Sequence, residues 1–364
     1  MNATAAVLTA PKSLELREIP LPEVNADDGL LRVEACGLCG SDYEQWKATK
    51  PPEYNKMPII PGHEIIGRIE KAGKNALASW DLEEGRRVAV EGVIPCGSCP
   101  ACTSGTFKRC VRKRGYGMRF GLSEGSGLWG GYASHVYLES GTLLHALPED
   151  VPTGVMVLFN PLSNGVRWVN EVGGVTLGST VVICGPGQRG LLSVIAAREA
   201  GADAIYITGT GKDVERLRLA KELGATETIN VDEQDPVAIV NALTRGKGVD
   251  VVVDVSHLST EPIVQAIEMV RPGGRIVLGG LKQMKPVPIV SDKLAYKEVT
   301  MVGVYSAGHS AIETAIKIIS KNWQELEKLN THSFPIERAE HAVRLLGREI
   351  TDTREPISIH LTPT

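Results

Sequence analysis

The sequence predicts an α/β protein in which a mostly β domain is followed by a doubly wound parallel sheet. The length of 364 residues suits two domains better than one. Up to residue 152 the chain consists of short apolar stretches separated by glycine and proline, as in β-rich domains. From residue 153 to about 305, strand-like runs alternate with helical ones, which is typical of parallel sheets covered by helices.

The first 152 residues are interpreted as a mostly β domain because few helical periods occur there. Apolar stretches of strand length are GLLRVEACGLCGSD (29–42), IIPGHEIIGRIEKAG (59–73), GRRVAVEGVIPCG (85–97) and GGYASHVYL (130–138). The segment from 306 to 364 contains two helical patterns and a closing strand, EPISIHL (355–361). We expect this return segment to pack on the first domain.

Residues 153–305 show the β/α alternation most clearly. The strand-like runs are TVVICG (180–185), AIYITG (204–209), VDVVVDV (249–255), GRIVLGG (274–280) and VTMVGVY (299–305). Helical patterns follow the first three of them. A parallel sheet with helices on both faces accounts for this order.

The motif GPGQRG, residues 185–190, predicts a dinucleotide site. Gly185 allows a tight turn, Gly187 leaves bare backbone beside a pyrophosphate, and Gly190 lets the helix lie close to the strand. Gln188 and Arg189 stand between these glycines, at the predicted helix start. The free N–H groups of that helix start attract phosphate.

The end of the next predicted strand favours NADP over NAD. An NAD site usually places Asp or Glu about 20 residues after the glycine motif, and Gly209 occupies that position. Thr210 and Lys212 follow, with Arg216 and Arg218 on the next predicted helix. A hydroxyl, free N–H groups and an ammonium suit a phosphate. Alternatively, this stretch is only a turn, and NAD binds through the backbone.

The segment CGSCPACTSGTFKRC, residues 96–110, predicts a structural zinc site in a lobe of about residues 92–118. Short spacings let one loop wrap a tetrahedral ion, and four thiolates leave no open position. A disulfide is the alternative, but it does not suit a reducing compartment. The basic residues of this lobe could offset the thiolate charge or bind a polyanion. The predicted ligands are Cys96, Cys99, Cys102 and Cys110.

A second candidate metal site combines Cys39 of GLCGSD with His63 and Glu64 of PGHEIIG. A thiolate and an imidazole suit zinc, and fewer than four strong protein ligands leave a position for substrate. From the residue types alone, a cysteine in a strand and a lone histidine are more often structural than metal-binding.

Charge and hydropathy exclude some classes of partner. The net charge is −4 and the pI about 6.1, which argues against a dedicated nucleic-acid or membrane-surface protein. No apolar run reaches the ~18 residues of a membrane span, and the first residues do not resemble a signal peptide. We therefore expect a cytosolic protein.

In their order and spacing, these motifs resemble the zinc-dependent medium-chain dehydrogenase/reductase family, which includes alcohol, sorbitol and threonine dehydrogenases. The resemblance covers the full length. It implies a GroES-like catalytic domain (1–152, completed by 306–364), a Rossmann domain (153–305), two zinc ions per chain and a homodimer or homotetramer. It further implies that Cys39 and His63 bind zinc, that Glu64 binds it or lies behind it, that Ser41 relays a proton, and that Asp42 supports His63.

The chain departs from the family pattern at two places. Asn160 of FNPLSNG stands where polyol-type relatives have a metal-site glutamate, and Glu44 stands near the place of a relay histidine. An amide cannot act as a base, so Asn160 is expected to contact water in the site. The expected reaction is hydride transfer between a secondary alcohol or polyol, or the matching ketone, and a nicotinamide cofactor. The alternatives are a same-fold reductase of an activated C=C or C=N bond without catalytic zinc, and a nucleic-acid-binding zinc ribbon.

Overall fold

The computed structural model describes residues 1–49, 56–112 and 114–363. Lys113 of the predicted zinc lobe lies outside them. The chain forms two compact units, residues 1–159 with 319–364 and residues 160–318. Both contain a β-sheet and helices, and the second sheet is parallel, so the predicted α/β class is confirmed.

The strands follow one another along the chain, and their bounds are these: β1 Asn2–Ala10, β2 Ser13–Pro20, β3 Gly29–Gly37, β4 Glu64–Ala72, β5 Arg87–Val90, β6 Val93–Ile94, β7 Arg114–Gly115, β8 His135–Leu138, β9 Leu144–Ala146, β10 Thr180–Cys184, β11 Ala204–Gly209, β12 Glu227–Asn230, β13 Val249–Asp254, β14 Val270–Leu278, β15 Thr300–Gly303, β16 Asn330–Pro335 and β17 Ser358–Thr362.

The four longest α-helices all begin in the second unit. Their bounds are α1 Gly40–Trp46, α2 Lys74–Trp80, α3 Pro100–Thr103, α4 Thr153–Met156, α5 Phe159–Gly165, α6 Gln188–Glu199, α7 Val214–Glu222, α8 Pro236–Leu243, α9 Glu261–Met269, α10 Ser291–Tyr296, α11 His309–Leu326 and α12 Ala339–Leu346. A π-helix, Val166–Val172, continues α5, and 3₁₀ turns cover Phe107–Arg109, Gly211–Asp213, Glu327–Leu329 and Ile336–Arg338.

The main sheet of the first unit has the strand order β16-β17-β3-β4-β5-β9, with β8 also paired to β3. Strands β3 and β4 are antiparallel, and Gly37 lies opposite Glu64. The end of β3 and the beginning of β4 are therefore neighbours. The buried core on this sheet includes Leu31, Val33, Ile65 and Val88.

The sheet of the second unit has the order β12-β11-β10-β13-β14-β15, and all neighbouring strands are parallel. The chain goes from β10 outward to β12 and then crosses to β13 on the other side of β10. Such a reversal opens a crevice at the carboxyl ends of the two central strands, where α/β proteins bind ligands. The glycine motif follows β10, at this crevice.

Candidate active site and zinc centres

Cys39 begins helix α1, and its environment is fixed by local hydrogen bonds. Its Sγ accepts from the backbone N–H of Ser41 at 3.5 Å, and its own N–H donates to Asp42 Oδ2 at 2.8 Å. The Cys39 side chain also accepts from the backbone N–H of Asp42, and this bond together with the one from Cys39 N–H to Asp42 forms a capping box, which satisfies free donors at a helix start. The Cys39 side chain is therefore held at one end of β3.

The pairing of β3 with β4 brings three predicted ligands together. One ligand atom each from Cys39, His63 and Glu64 lies within 4.8 Å of the others, and all three residues are buried. Gly37 makes this approach possible: a Cβ there would lie 2.5 Å from Glu64 Oε2. The antiparallel register, rather than closeness in sequence, assembles this donor set.

Asp42 faces the ring of His63, with Oδ1 3.6 Å from Nδ1. Burial disfavours the charged imidazolium, but the neighbouring Asp42 carboxylate and Cys39 thiolate raise the pKa of His63 to about 10. A carboxylate on one ring nitrogen orients a histidine so that the other can bind a metal. Binding a cation at the other nitrogen displaces the ring proton.

The Ser41 hydroxyl is adjacent to this donor set in sequence. Its Oγ is buried and has no hydrogen-bond partner among the described residues. A buried hydroxyl without a hydrogen-bond partner destabilises the folded protein unless a ligand supplies the missing hydrogen bond. Glu44 lies one turn further on α1, and its backbone carbonyl accepts from Thr49 Oγ1 at 3.0 Å.

The four cysteines of the second cluster also converge. Their sulfur atoms all lie within 4.8 Å of one another, and none forms a disulfide. Cys96 Sγ is 3.9 Å from Cys102 Sγ, and Cys99 Sγ is 3.5 Å from Cys102 Sγ. Four sulfurs at ~2.3 Å from a zinc ion in a tetrahedron are roughly 3.8 Å apart. This donor set thus fits a closed zinc tetrathiolate, and the Cys39 set fits zinc with an open position.

Asn160 is the first residue of the second unit and belongs to α5. Its backbone carbonyl accepts from Ser163 Oγ at 2.6 Å and from Asn164 Nδ2 at 2.9 Å. Its side-chain oxygen is 3.4 Å from the same Asn164 nitrogen. The Asn160 amide is therefore oriented by a neighbour one helical turn away.

The glycine motif has the geometry that its sequence predicts. Gly185 has φ +105°, a conformation that other residues rarely adopt, and α6 begins directly after Gly187. A Cβ at Gly190 would overlap the carbonyl oxygen of Gly185. The Arg189 guanidinium lies over the ring of Trp168, 5.8 Å from its centre, where it stabilises the π-helix against α6.

The loop after β11 contains two carboxylates that sequence reasoning did not identify. Asp213 Oδ2 accepts from the N–H and hydroxyl of Thr210, at 3.1 and 2.8 Å. Asp232 Oδ2 accepts from the N–H of Gly211 at 2.8 Å. Lys212 is exposed at the same loop. The donors that the sequence assigns to a phosphate are thus already paired with carboxylates.

A buried ion pair behind the glycine motif is a further feature without a sequence signal. Lys282 Nζ lies 2.8 Å from Asp254 Oδ2 and donates to Ser256 O and Oγ at 2.6 and 2.9 Å. Asp254 is the last residue of β13 and is fully buried. The backbone of Ser256 contacts the glycine motif, since a Cβ on Gly185 would lie 3.0 Å from its Cα.

Comparison with known proteins identifies the family. A family profile described as alcohol dehydrogenase GroES-like domain matches residues 25–149, and one described as zinc-binding dehydrogenase matches residues 190–321. A probable alcohol dehydrogenase of Mycobacterium tuberculosis is 36% identical over 365 residues, covering 99% of this chain and 98% of that protein. The chain belongs to the zinc-dependent medium-chain dehydrogenase family.

Two other relatives of this dehydrogenase agree. L-threonine 3-dehydrogenase of Bacillus subtilis is 31% identical over 341 residues, 91% of each chain. The crystal structure of an alcohol dehydrogenase from Thermotoga maritima has a TM-score of 0.90 and 27% identity, with both chains fully covered. The predicted family and enzyme class, an NAD(P)-dependent alcohol dehydrogenase that uses a small-molecule substrate, are confirmed. Among the described residues, no helix has the length and hydropathy to cross a bilayer.

Proposed function

We propose that Cys39, His63 and Glu64 hold the catalytic zinc of this dehydrogenase, and that Cys96, Cys99, Cys102 and Cys110 hold a second, structural one. The observation that carries the proposal is the buried approach of a thiolate, an imidazole and a carboxylate within 4.8 Å. When bound, zinc acts as a Lewis acid that makes an alcohol hydroxyl far more acidic. The substrate class is a secondary alcohol or polyol, or the matching ketone.

The chain's own residues handle the proton and the orientation of the ligands. Ser41 takes up the substrate hydroxyl proton while it passes its own hydroxyl proton on to water, and its buried hydroxyl with no partner supports that role. Asp42 holds the His63 ring from the Nδ1 side. Asn160 is an uncharged amide at the family's carboxylate position and hydrogen-bonds water there. Because the Asn160 amide takes up no proton, Ser41 is the first residue to receive the proton of the substrate hydroxyl.

The dinucleotide is held in the second unit by residues 185–190. Gly185, Gly187 and Gly190 admit the pyrophosphate, and the first N–H groups of α6, at Gln188 and Arg189, attract it. The loop Gly209–Lys212 borders the adenosine ribose. When bound, the nicotinamide would accept a hydride from the carbinol carbon, or would supply one to the carbonyl carbon in reduction. The catalytic domain comprises residues 1–152 with the return segment 306–364, and the dinucleotide domain residues 153–305.

Metal analysis together with alcohol oxidation tests these roles. The wild-type protein is expected to contain two zinc ions per chain and to reduce the nicotinamide cofactor, read at 340 nm, with secondary alcohols or polyols. Cys39→Ala should keep one zinc and lose activity by on the order of a thousandfold or more. Cys36→Ala is the matched control: this buried cysteine lies outside both donor sets, and its variant should keep both ions and activity.

Zinc content and substrate class can also contradict the proposal. A wild-type protein with one zinc per chain that reduces activated C=C or C=N bonds would overturn the proposal in favour of the zinc-free reductase. Ser41→Ala separates the proton relay from metal binding, since it should retain two zinc ions and lose roughly a hundredfold in kcat.

We also propose that the protein is a homodimer or homotetramer. Strand β15 ends the strand order of the second sheet, and large apolar side chains nearby are exposed, among them Leu281, Met284 and Tyr296. An open sheet edge beside exposed apolar residues favours pairing with another copy. Light scattering should give the mass of two or four chains, and Tyr296→Glu should shift the measured mass towards that of a single chain.

Because four thiolates must stay reduced, we place the enzyme in the cytosol.

A further inference from the structure

We infer that Asp232, assisted by Asp213, makes this enzyme select NAD over NADP. The inference rests on the proposed dinucleotide site and deepens it by naming the residues that choose the cofactor. It also reverses the preference that the sequence pattern around Gly209 suggests.

The absence of an acidic residue at the end of β11 has a packing cause. A Cβ on Gly209 would lie 2.7 Å from Cγ of Pro186, which belongs to the glycine motif, and 3.1 Å from Cδ2 of Leu217 on α7. Any side chain at 209 would therefore push the glycine motif or α7 away. Glycine at this position is required by the contact between two loops, so it says nothing about the charge of the cofactor.

The carboxylate that an NAD site needs is supplied from the neighbouring strand. Strands β11 and β12 are parallel, and Gly209 lies opposite Asn230. The N–H of Val231 donates to the Gly209 carbonyl at 2.8 Å, which joins the two strand ends. Asp232 follows, and its N–H donates to Asn230 Oδ1 at 3.2 Å. Its carboxylate therefore reaches Gly211, beside the proposed adenosine ribose.

The donors that could bind a 2′-phosphate are already satisfied by these carboxylates. Gly211 donates its N–H to Asp232, and Thr210 donates its N–H and hydroxyl to Asp213. A phosphate monoester carries a charge near −2 and would have to displace both carboxylates or bind beside them. A ribose 2′-hydroxyl can instead donate a hydrogen bond to Asp232, which from the neighbouring strand supplies the contact that NAD sites usually take from an acidic residue about 20 residues after the glycine motif.

Two of the cations near this loop, Arg218 and Lys212, do not offset the repulsion between these carboxylates and a 2′-phosphate. Arg218 pairs with Glu215, at 3.0 Å, and with Glu222 on its own helix. Lys212 is exposed, and an exposed ammonium contributes little against charge in water. Repulsion between a dianionic phosphate and one carboxylate a few ångströms away in water corresponds to roughly tenfold or more in Kd.

The test is a binding titration that needs no alcohol substrate. NADH and NADPH are titrated separately into the zinc-loaded full-length enzyme, at one fixed ionic strength, and nicotinamide fluorescence gives each Kd. We expect NADH to bind at least tenfold more tightly than NADPH. Asp232→Asn should tighten NADPH about tenfold and weaken NADH a few-fold, because the charge is lost while the side-chain shape is kept. Asp232→Ser should shift the ratio in the same direction.

Glu233→Gln is the matched control. It removes the same charge one residue further along, and its carboxylate makes no hydrogen bond to Gly211, so the ratio of the two Kd values should stay within about twofold of wild type. Tighter wild-type binding of NADPH than of NADH, or an unchanged ratio in both Asp232 variants, would overturn the inference while leaving the dehydrogenase proposal intact. Failure to bind either dinucleotide would overturn the proposed site, and this inference with it.

Discussion

Replacing Lys282 by methionine should destabilise the dinucleotide-binding unit and weaken cofactor binding. The Lys282 ammonium forms an ion pair with Asp254 at 2.8 Å and donates to Ser256 O and Oγ at 2.6 and 2.9 Å, so this buried cation has one anionic and two neutral oxygen neighbours. Lys282→Met leaves the Asp254 carboxylate at the end of β13 with no exposed surface and no cation. Removing one partner of a buried ion pair costs about 3–5 kcal/mol.

The same substitution should raise the Kd of the nicotinamide cofactor. Ser256 loses two hydrogen bonds to Lys282, and its backbone lies directly against Gly185 of the glycine motif. A looser Ser256 lets the Gly185 turn move, and that turn must hold its shape for the pyrophosphate to approach the backbone. We expect Kd to rise on the order of tenfold, while zinc content stays unchanged because both proposed zinc donor sets lie in the other unit.

Urea denaturation and cofactor titration measure the two effects. Asp254→Asn combined with Lys282→Met removes both charges, and we expect this double variant to regain at least about 2 kcal/mol relative to the sum of the single changes. Lys285→Met, at an exposed lysine three residues further on, is the control and should lie within about 0.5 kcal/mol of wild type. A Lys282→Met protein within about 1 kcal/mol of wild type would refute the reasoning.

Three further substitutions test the two units. Gly190→Ala should weaken dinucleotide binding at least tenfold in a fluorescence titration, because the added methyl overlaps the Gly185 carbonyl; unchanged binding would contradict the close helix–strand contact. Burial lowers the pKa of His360 to about 4. Between about pH 6.5 and 4 the unfolded chain therefore binds a proton that the native state does not, so stability falls with falling pH, by up to about 3 kcal/mol. His360→Leu should remove this component from urea midpoints measured across that range, and equal slopes for variant and wild type would exclude it. Arg87→Met should lower the free energy of unfolding by about 3–5 kcal/mol, because buried Arg87 pairs with Glu34 at 2.7 Å and donates to two backbone carbonyls; thermal denaturation with a loss under about 1 kcal/mol would disprove it.

The features that sequence reasoning identified correctly are local ones. The fingerprint glycines lie within six residues, and their turn and helix start form as the spacing indicates. The cysteines between 96 and 110 converge because one short loop brings them around a common point. In both cases the chain between the residues is too short to allow many other arrangements, so spacing alone is informative.

Other features depend on contacts between distant residues, and the sequence pattern did not indicate them. Asp232 reaches Gly211 only because β12 lies beside β11, and Lys282 reaches Asp254 only because β13 and β14 are neighbours. The π-helix over 166–172 has no simple periodicity signal either. The sequence-based preference for NADP treats Gly209 as a missing carboxylate, whereas the structure shows a contact with Pro186 that leaves no room for a side chain.

Residues a few positions apart encode the motifs of the family, the alternation of strands and helices, the glycine motif and the cysteine lobe, so these features can be recognised from the sequence. The approach of Cys39 to His63 and Glu64, and the carboxylates on the donors after β11, become visible only in the folded chain. They depend on strand order and register, which set the distant side chains that meet. A single sequence shows the apolar periodicity along each strand. The neighbours of that strand in the sheet are set by the fold.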